Sequence, residues 1–178
     1  MKTYLETARL IVVYPEPAHF KDWFKLQSDP DVMRYISGKP RTHEEVEYYF
    51  TKNLLHLKKH GFCVGSVFEK ASDQFIGRAG LIFLGYDDAQ PEIEIAYSLY
   101  KTFWCRGYAT ELARAFIEWG FKNLKINRLI AISNPENIKS WQVMIKVGID
   151  HAGKMQHHGV EVVRYEIFNP IARSNSNH

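Results

Sequence analysis

The sequence predicts a single α/β domain on a mixed, mostly antiparallel sheet of about seven strands with about four helices. Three observations predict it. The chain has 178 residues, of which 46% are hydrophobic, 14% aromatic and 24% charged, the length of one domain and an ordinary globular mixture. Short β-branched and aromatic runs alternate with turn residues through most of the chain. From Ala109 the apolar spacing changes to the helical period and holds it for a long, uninterrupted stripe. A chain of this size buries roughly two thirds of the surface it would expose unfolded, so no metal or disulfide staple is required.

Residues 10–14, LIVVY, are apolar and β-branched, and the Glu-Pro pair that follows prevents a helix, which makes them the first strand. Residues 19–27 carry Phe20, Trp23, Phe24 and Leu26 at near-helical spacing and are stopped at Asp29-Pro30. Thr42 followed three residues later by Glu45 has the form of a capping box, and Val46, Tyr49, Phe50, Asn53, Leu54 and Leu57 continue the helix toward Gly61. Residues 62–69, 74–84 and 92–99 are strand-like, with turn chemistry at Ser72-Asp73 and across 85–91, and their short links predict an antiparallel meander. The long stripe is Ala109, Leu112, Ala113, Phe116, Ile117, Gly120, Phe121 and Leu124, with Glu111, Arg114, Glu118 and Lys122 off it. Residues 128–133 then form a strand, 137–147 a helix closed by Gly148, and 149–155 and 160–168 two strands around His158-Gly159. No repeat or linker interrupts this order. The domain is expected over residues 1–170, with 171–178 a frayed tail.

Several function classes are disfavoured. Cys63 and Cys105 form no CxxC pair, which argues against a zinc site or disulfide framework and fits a reducing cytoplasm. The eight histidines make no HxH or HxxxH set with a carboxylate, so no metal is expected. The apolar run at 10–13 is far short of the roughly 18 residues of a membrane span, and no signal peptide is read at the start. A charge of +3 and a pI near 8.8 are mildly basic, but Lys and Arg are scattered. Direct nucleic-acid binding is not expected, and the weak positive balance equally suits a polyanionic cofactor.

One segment carries chemistry. The strand ending at Leu99 passes through a short connection into the long helix, which begins near Gly107. A strand-to-helix turn with glycine at its narrowest point leaves unpaired backbone N–H groups directed at one spot, where the helix dipole favours negative charge. Arg106 adds a cation, Gly107 permits close approach, and Ala109 keeps the first turn free of bulk. The segment lacks the Lys-Ser/Thr ending of a P-loop and the three glycines of a dinucleotide-binding turn. Residue types alone point to an anion without naming it, and they leave open that Gly107 is an ordinary turn residue.

Taken together, ETARLIV at 6–12, SDPDVMRYI at 28–36, EIEIAYSL at 92–99, WCRGYATELARAFIEWGF at 104–121 and NPENIKSWQVMIKVGI at 134–149 resemble the GNAT superfamily of N-acetyltransferases. Within it they are most similar to the branch of ribosomal-protein N-terminal acetyltransferases. The resemblance implies a sheet whose fourth and fifth strands splay apart, with acetyl-CoA as co-substrate in the gap and its pyrophosphate on the loop before the long helix. The implied contacts are Tyr97, Ser98 and Leu99 on the strand, Trp104, Cys105, Arg106, Gly107, Tyr108, Ala109 and Thr110 on the loop and helix start, and Asn137. Trp104 replaces the usual polar first residue of the loop pattern, and Cys105 stands where most relatives have glycine. A thiol that accepts acetyl from the cofactor is the sharper reading of Cys105; a small residue tolerated in the loop is the plainer one.

Acetyl transfer to an amine requires a base for the ammonium, a polarised carbonyl and a proton for the leaving thiolate. Glu92 and Glu94 lie two apart on one strand face, beside the implied acetyl group, and Glu94 is the preferred base; both are otherwise solvated charges. Asn137 is a sufficient N-cap and, by resemblance, a pantetheine contact. Seven residues on, where many members place an acidic tyrosine, stands Met144, and Ser140 is the substitute in the ribosomal-protein branch or simply a polar residue in the helix's first turn. His157-His158 sits in a predicted hairpin and is explained by turn and surface. Residues 29–35 and 38–41 shape the expected acceptor pocket. The favoured acceptor is a protein N-terminus; a polyamine or aminoglycoside is the enzymatic rival, favoured by a deep acidic pocket, and a non-catalytic acyl-CoA-binding module is the rival of another class. A homodimer is a family-level expectation.

Overall fold

The computed structural model describes residues 1–170, so the expected tail at 171–178 lies outside the described residues. The strands are β1 (Thr3–Glu6), β2 (Leu10–Val13), β3 (Val64–Glu69), β4 (Gln74–Phe83), β5 (Ile93–Leu99), β6 (Arg128–Ser133), β7 (Asp150–His157) and β8 (Val160–Phe168). The helices are α1 (Phe20–Gln27), α2 (Pro30–Met33), α3 (His43–His60), α4 (Tyr108–Asn123) and α5 (Ile138–Lys146). Two elements go beyond the sequence reading. β1 is only four residues long and pairs antiparallel with β2. α2 begins at the Asp29-Pro30 pair read as a stop: the Asp29 side chain accepts from the Asp31 and Val32 backbone N–H groups, and Pro30 takes the first helical position, where its missing N–H costs nothing.

The sheet runs β1-β2-β3-β4-β5-β6-β8-β7. β1 to β5 form one antiparallel half, and β6, β8 and β7 another. The halves meet where β5 and β6 run parallel, through one register pair, Glu94 with Ile130. Beyond that pair the strands part, as the resemblance implies.

Helices cover both faces, and each face has its own apolar cluster. On one, Leu112, Phe116 and Ile117 of α4 and Met144 of α5 pack against Leu81, Ile93, Ile95, Leu129 and Ala131. On the other, Trp23 of α1 and Phe50 of α3 pack with Val64 and Ile82, and Ala96 borders them. β5 therefore sends Ile93 and Ile95 to one layer and Glu94 and Ala96 to the other, the period-2 alternation of a strand covered on both sides. α3 opens on the predicted capping box: Thr42 Oγ1 accepts from Glu45 N at 3.3 Å and Glu45 Oε2 from Thr42 N at 2.8 Å. It closes on Gly61 in the left-handed conformation, φ 79°.

Asn53 is the polar member of the α3 apolar stripe, and the fold explains it. It is fully buried, donates through Nδ2 to Val64 O at 2.8 Å and accepts from Val64 N at 2.9 Å, taking the place of a neighbouring strand. Asn53→Ala would leave both backbone groups of Val64 buried without these partners, a loss of about 2–4 kcal/mol that urea denaturation would measure as a lower midpoint.

Candidate active site

The site is built where the halves of the sheet separate. Past Glu94 the β6-facing edge of β5 has no strand partner, which leaves residues 96–99 bordering an open groove. Trp104 closes its far end: the indole Nε1 donates to Leu99 O at 2.7 Å, and the Lys139 ammonium stands 5.2 Å from the ring centroid. The residue that departs from the usual polar loop position thus ties the loop to the end of β5.

The loop itself has the geometry of a cradle. Cys105, which is exposed, and Gly107 both adopt left-handed backbone, at φ 59° and 82°. At Cys105 this backbone carries a steric penalty that glycine would not, since only glycine enters that region freely. Gly107 is the N-cap of α4 and has no side chain to cap it. The first helical N–H to find a carbonyl is that of Glu111, bonded to Gly107 O at 3.0 Å, so the N–H groups of Tyr108, Ala109 and Thr110 point out of the helix end. Arg106 supplies the cation beside them, its guanidinium over the Phe103 ring at 5.2 Å. The Tyr108 side chain points elsewhere, its hydroxyl donating to Glu69 Oε1 at 2.5 Å, so its part in the cradle is its backbone.

Arg9 is the functional residue that sequence reasoning missed. Its Nη1 donates to Arg106 O at 2.9 Å, its Nε to Glu111 Oε2 at 2.7 Å, and its guanidinium stacks 4.4 Å from the Tyr108 ring centroid. Glu111 Oε1 also accepts from Thr7 Oγ1 at 2.6 Å and from Arg9 N at 3.0 Å. The β1–β2 turn is thereby clasped to the cradle. ETARLIV held the signal only as part of a resemblance; nothing in its spacing shows a partner about a hundred residues away.

A cavity of about 620 Å³ opens beside the groove. Glu94 and Tyr97 of β5 and Asn137 and Ser140 at the start of α5 all line it, so two sequence-predicted elements meet there. Tyr97 Oη lies 3.2 Å from Ser140 Oγ and 3.3 Å from Ser140 O, and Asn137 Oδ1 accepts from Ser140 N at 3.2 Å. Burial pushes the Tyr97 phenol up to about 12, with the Ser140 hydrogen bond opposing, so it is protonated at neutral pH. Burial also pushes the Glu94 carboxyl up to about 7, against the pull of the Arg78 guanidinium. Met144, in place of the usual tyrosine, lines the cavity as an apolar wall.

Two predicted residues stand apart. Glu92 shares the face of Glu94, but Arg128 Nη2 at 2.5 Å and Arg164 Nη2 at 3.2 Å hold its Oε1, with Glu166 completing the cluster, and it is not among the cavity's lining residues. Ser98, buried, alternates away from Tyr97 and accepts from Arg78 Nε at 3.1 Å. His157 and His158, by contrast, do reach the cavity, closing over Gly85. Arg78 and Tyr86 line it as well. The signal for Arg78 was a cation inside the otherwise apolar run of β4.

A splayed parallel strand pair beside a helix that offers three free N–H groups makes a groove for an elongated ligand with an anionic end. Comparison with known proteins identifies the family. Residues 9–150 match the family model described as Acetyltransferase (GNAT) domain. An uncharacterized N-acetyltransferase of Bacillus subtilis, YnaD, is 32% identical over 153 residues, 84% of each chain. The crystal structure of an acetyltransferase from Agrobacterium tumefaciens superposes with a TM-score of 0.82 over 95% of both chains at 24% identity. RimL, a ribosomal L7/L12 alpha-N-protein acetyltransferase solved with coenzyme A, superposes with a TM-score of 0.75 over 91% of this chain and 95% of its own at 16% identity. The chain belongs to the GNAT acetyltransferase family, and it is an acetyl-CoA-dependent N-acetyltransferase. Among the described residues no helix is long and apolar enough to cross a membrane.

The clasp generates a stability prediction. Burial alone would raise the Glu111 carboxyl; the hydrogen bonds from Thr7 and from the Arg9 backbone and guanidinium outweigh it and hold the group below its ordinary value of 4.5. A depressed carboxylate contributes stability above that ordinary value and loses it as pH falls through the folded value. Glu111→Ala is expected to lower unfolding free energy by about 1–3 kcal/mol at pH 7. In urea denaturation series the difference from the unmodified protein should shrink at pH 3.

Proposed function

We propose that this enzyme transfers acetyl directly from acetyl-CoA to a primary amine, with the N-terminus of a protein as the favoured acceptor, Glu94 as base and Ser140 as the proton donor to sulfur. The observation that carries the chemistry is the meeting of Glu94 and the Tyr97–Ser140 hydroxyl pair in one cavity at the mouth of the splay. The acceptor class is supported by the sequence likeness to the ribosomal-protein branch.

The residues present fit the co-substrate. The cradle offers N–H groups and Arg106 to a pyrophosphate, and the unpaired edge of β5 offers backbone groups to a pantetheine amide. When bound, acetyl-CoA supplies an activated thioester. Glu94 takes the proton of the acceptor ammonium, directly or through one water, and a carboxyl near 7 is matched to that task. The amine nitrogen then bonds to the thioester carbonyl carbon as the carbon–sulfur bond breaks, and the nitrogen loses its second proton to solvent to become the neutral amide. Ser140 Oγ gives its proton to the departing sulfur and is resupplied by solvent; Tyr97 is a positioning residue that fixes the Ser140 hydroxyl. Asn137 orders the same turn by capping it. Glu92, neutralised by two guanidinium groups, is left with a structural part. Cys105 is assigned no covalent role, being placed in the loop among the phosphate-binding residues.

Because Glu94 must be deprotonated to act, kcat/KM should fall with decreasing pH below about 7 and level off above it. Glu94→Gln should abolish that limb and reduce kcat by about 10²–10⁴-fold with acetyl-CoA affinity retained, as read by thiol-release kinetics and calorimetry. A variant that keeps the unmodified profile would remove Glu94 from the mechanism.

Gly107→Glu tests the cradle. It forces a side chain into left-handed backbone, its Cβ would lie 3.3 Å from Arg9 Nη2, and its carboxylate would compete for the anion site. Acetyl-CoA affinity should fall by at least about tenfold, an outcome worth roughly 1.4 kcal/mol; unchanged calorimetric affinity would place the phosphates elsewhere.

A further inference from the structure

We infer that the acceptor is a primary amine bearing a carboxylate or phosphate group near its nitrogen, and that Arg41 and Arg78 hold that anionic group while Glu94 faces the amine. This rests on the acetyl-transfer reading of the Glu94 cavity and narrows its substrate class.

The charge balance of the cavity carries the inference. Arg34, Arg41, Lys52 and Arg78 line it, and the one carboxylate among its lining residues is Glu94. Among the described residues none of the four cations forms an ion pair with a carboxylate. Arg9, Arg128, Arg164, Lys59, Lys70, Lys101 and Lys154 have such partners, and exposed lysines such as Lys21 and Lys58 go without them in solvent; Arg41 and Arg78 differ in being unpaired and half-buried in a cavity. Arg41 and Arg78 feel Glu45 and Glu94 only at longer range than an ion pair, and they repel one another, so an anion arriving with the ligand would complete their charge balance.

Arg41 and Arg78 are the best-formed pair. Arg41 stacks on Tyr49 at 3.9 Å and donates to Gln27 Oε1; Arg78 lies 5.3 Å over the Trp23 ring and donates to Ser98 Oγ at 3.1 Å. Each guanidinium has five N–H donors in a planar fork, so these contacts fix orientation and leave donors unspent. Burial and the neighbouring charge of Arg78 bring Arg41 down to about 10, the repulsion expected of two cations facing a common space. An oxyanion between them would relieve it and accept bidentate hydrogen bonds.

The location separates this set from the cofactor's phosphates. Lys52 belongs to α3 and Arg34 caps α2, on the sheet face opposite α4, whose N-terminus carries the cradle and Arg106. The same balance opposes a polyamine or an aminoglycoside, whose several ammonium groups would meet four cations.

The test uses the full-length enzyme, with acetyl-CoA affinity measured first by calorimetry. Thiol release is then followed at saturating acetyl-CoA with ethanolamine against O-phosphoethanolamine, the peptide Ser-Glu-Glu-Ala against Ser-Lys-Lys-Ala, spermidine and kanamycin. The anionic member of a pair should show kcat/KM higher by about 10–100-fold, the gain expected of a charge-assisted hydrogen bond. Preference in only one pair tells a small phosphorylated or carboxylated amine from an acidic peptide end. In Arg41→Gln and, separately, Arg78→Gln, KM for the preferred acceptor should rise and the ratio within the pair should collapse while acetyl-CoA affinity holds. A ratio near one, preference for spermidine or kanamycin, no transfer to any member, or a ratio that survives both substitutions overturns the inference. Failure of the unmodified enzyme to bind acetyl-CoA at all would instead remove the acetyl-transfer reading beneath it.

Discussion

The molecule depends on one incomplete pairing. Two antiparallel half-sheets, each with its ladder satisfied, touch through a single parallel register pair at Glu94 and Ile130. A complete β5–β6 ladder would use the edge of β5 for internal hydrogen bonds and close the groove; a missing contact would leave the halves linked only by helices and loops. Buried backbone groups must find partners, and here the edge of β5 is left to find them in a ligand. Helices α4 and α5 contact each other and span the gap on one face, so the core is continuous where the sheet is not.

Around that gap the charges are sorted by role. Glu92 sits in a balanced cluster with Arg128, Arg164 and Glu166 and so stiffens the junction just before the strands part. Two residues further on, Glu94 has no hydrogen-bond partner among the described residues and faces open space. The same residue type on the same face thus has opposite environments, and the difference comes from which strand lies beside it: β6 and β8 supply arginines to Glu92, while Glu94 borders the splay.

What was legible in the sequence follows the range of the interactions. The capping box at Thr42 and Glu45, the Gly61 stop and the α4 stripe are local, and each lies where periodicity and turn chemistry put it. β1 was invisible because Thr-Tyr-Leu-Glu lacks the unbroken apolar, β-branched run that marks the equally short β2, and α2 because Asp-Pro ends one helix and begins the next. At 104–110 the residues alone pointed to an anion or to an ordinary turn, and the family likeness supplied the acetyl-CoA reading. Arg9 was illegible because its meaning lies in partners far along the chain, and Arg78 showed only as a cation in an apolar strand, with nothing to name its partners. The separation of Glu92 from Glu94 was illegible too: a strand's alternation puts both on one face, and only the neighbouring strands tell them apart.

The clasp between the β1–β2 turn and α4 has a practical side. The family match begins at residue 9 and ends at residue 150, yet Thr7, which donates to Glu111, lies before it, and β8, which pairs with β6 along six residues, lies after it. A fragment trimmed to the matched region would keep Arg9 while losing the hydroxyl that shares its carboxylate partner, and would strip the antiparallel neighbour from the strand that forms one wall of the groove. The boundaries of recognisable ancestry and of mechanical integrity differ in this chain. Truncations, tags and circular permutants should respect the second.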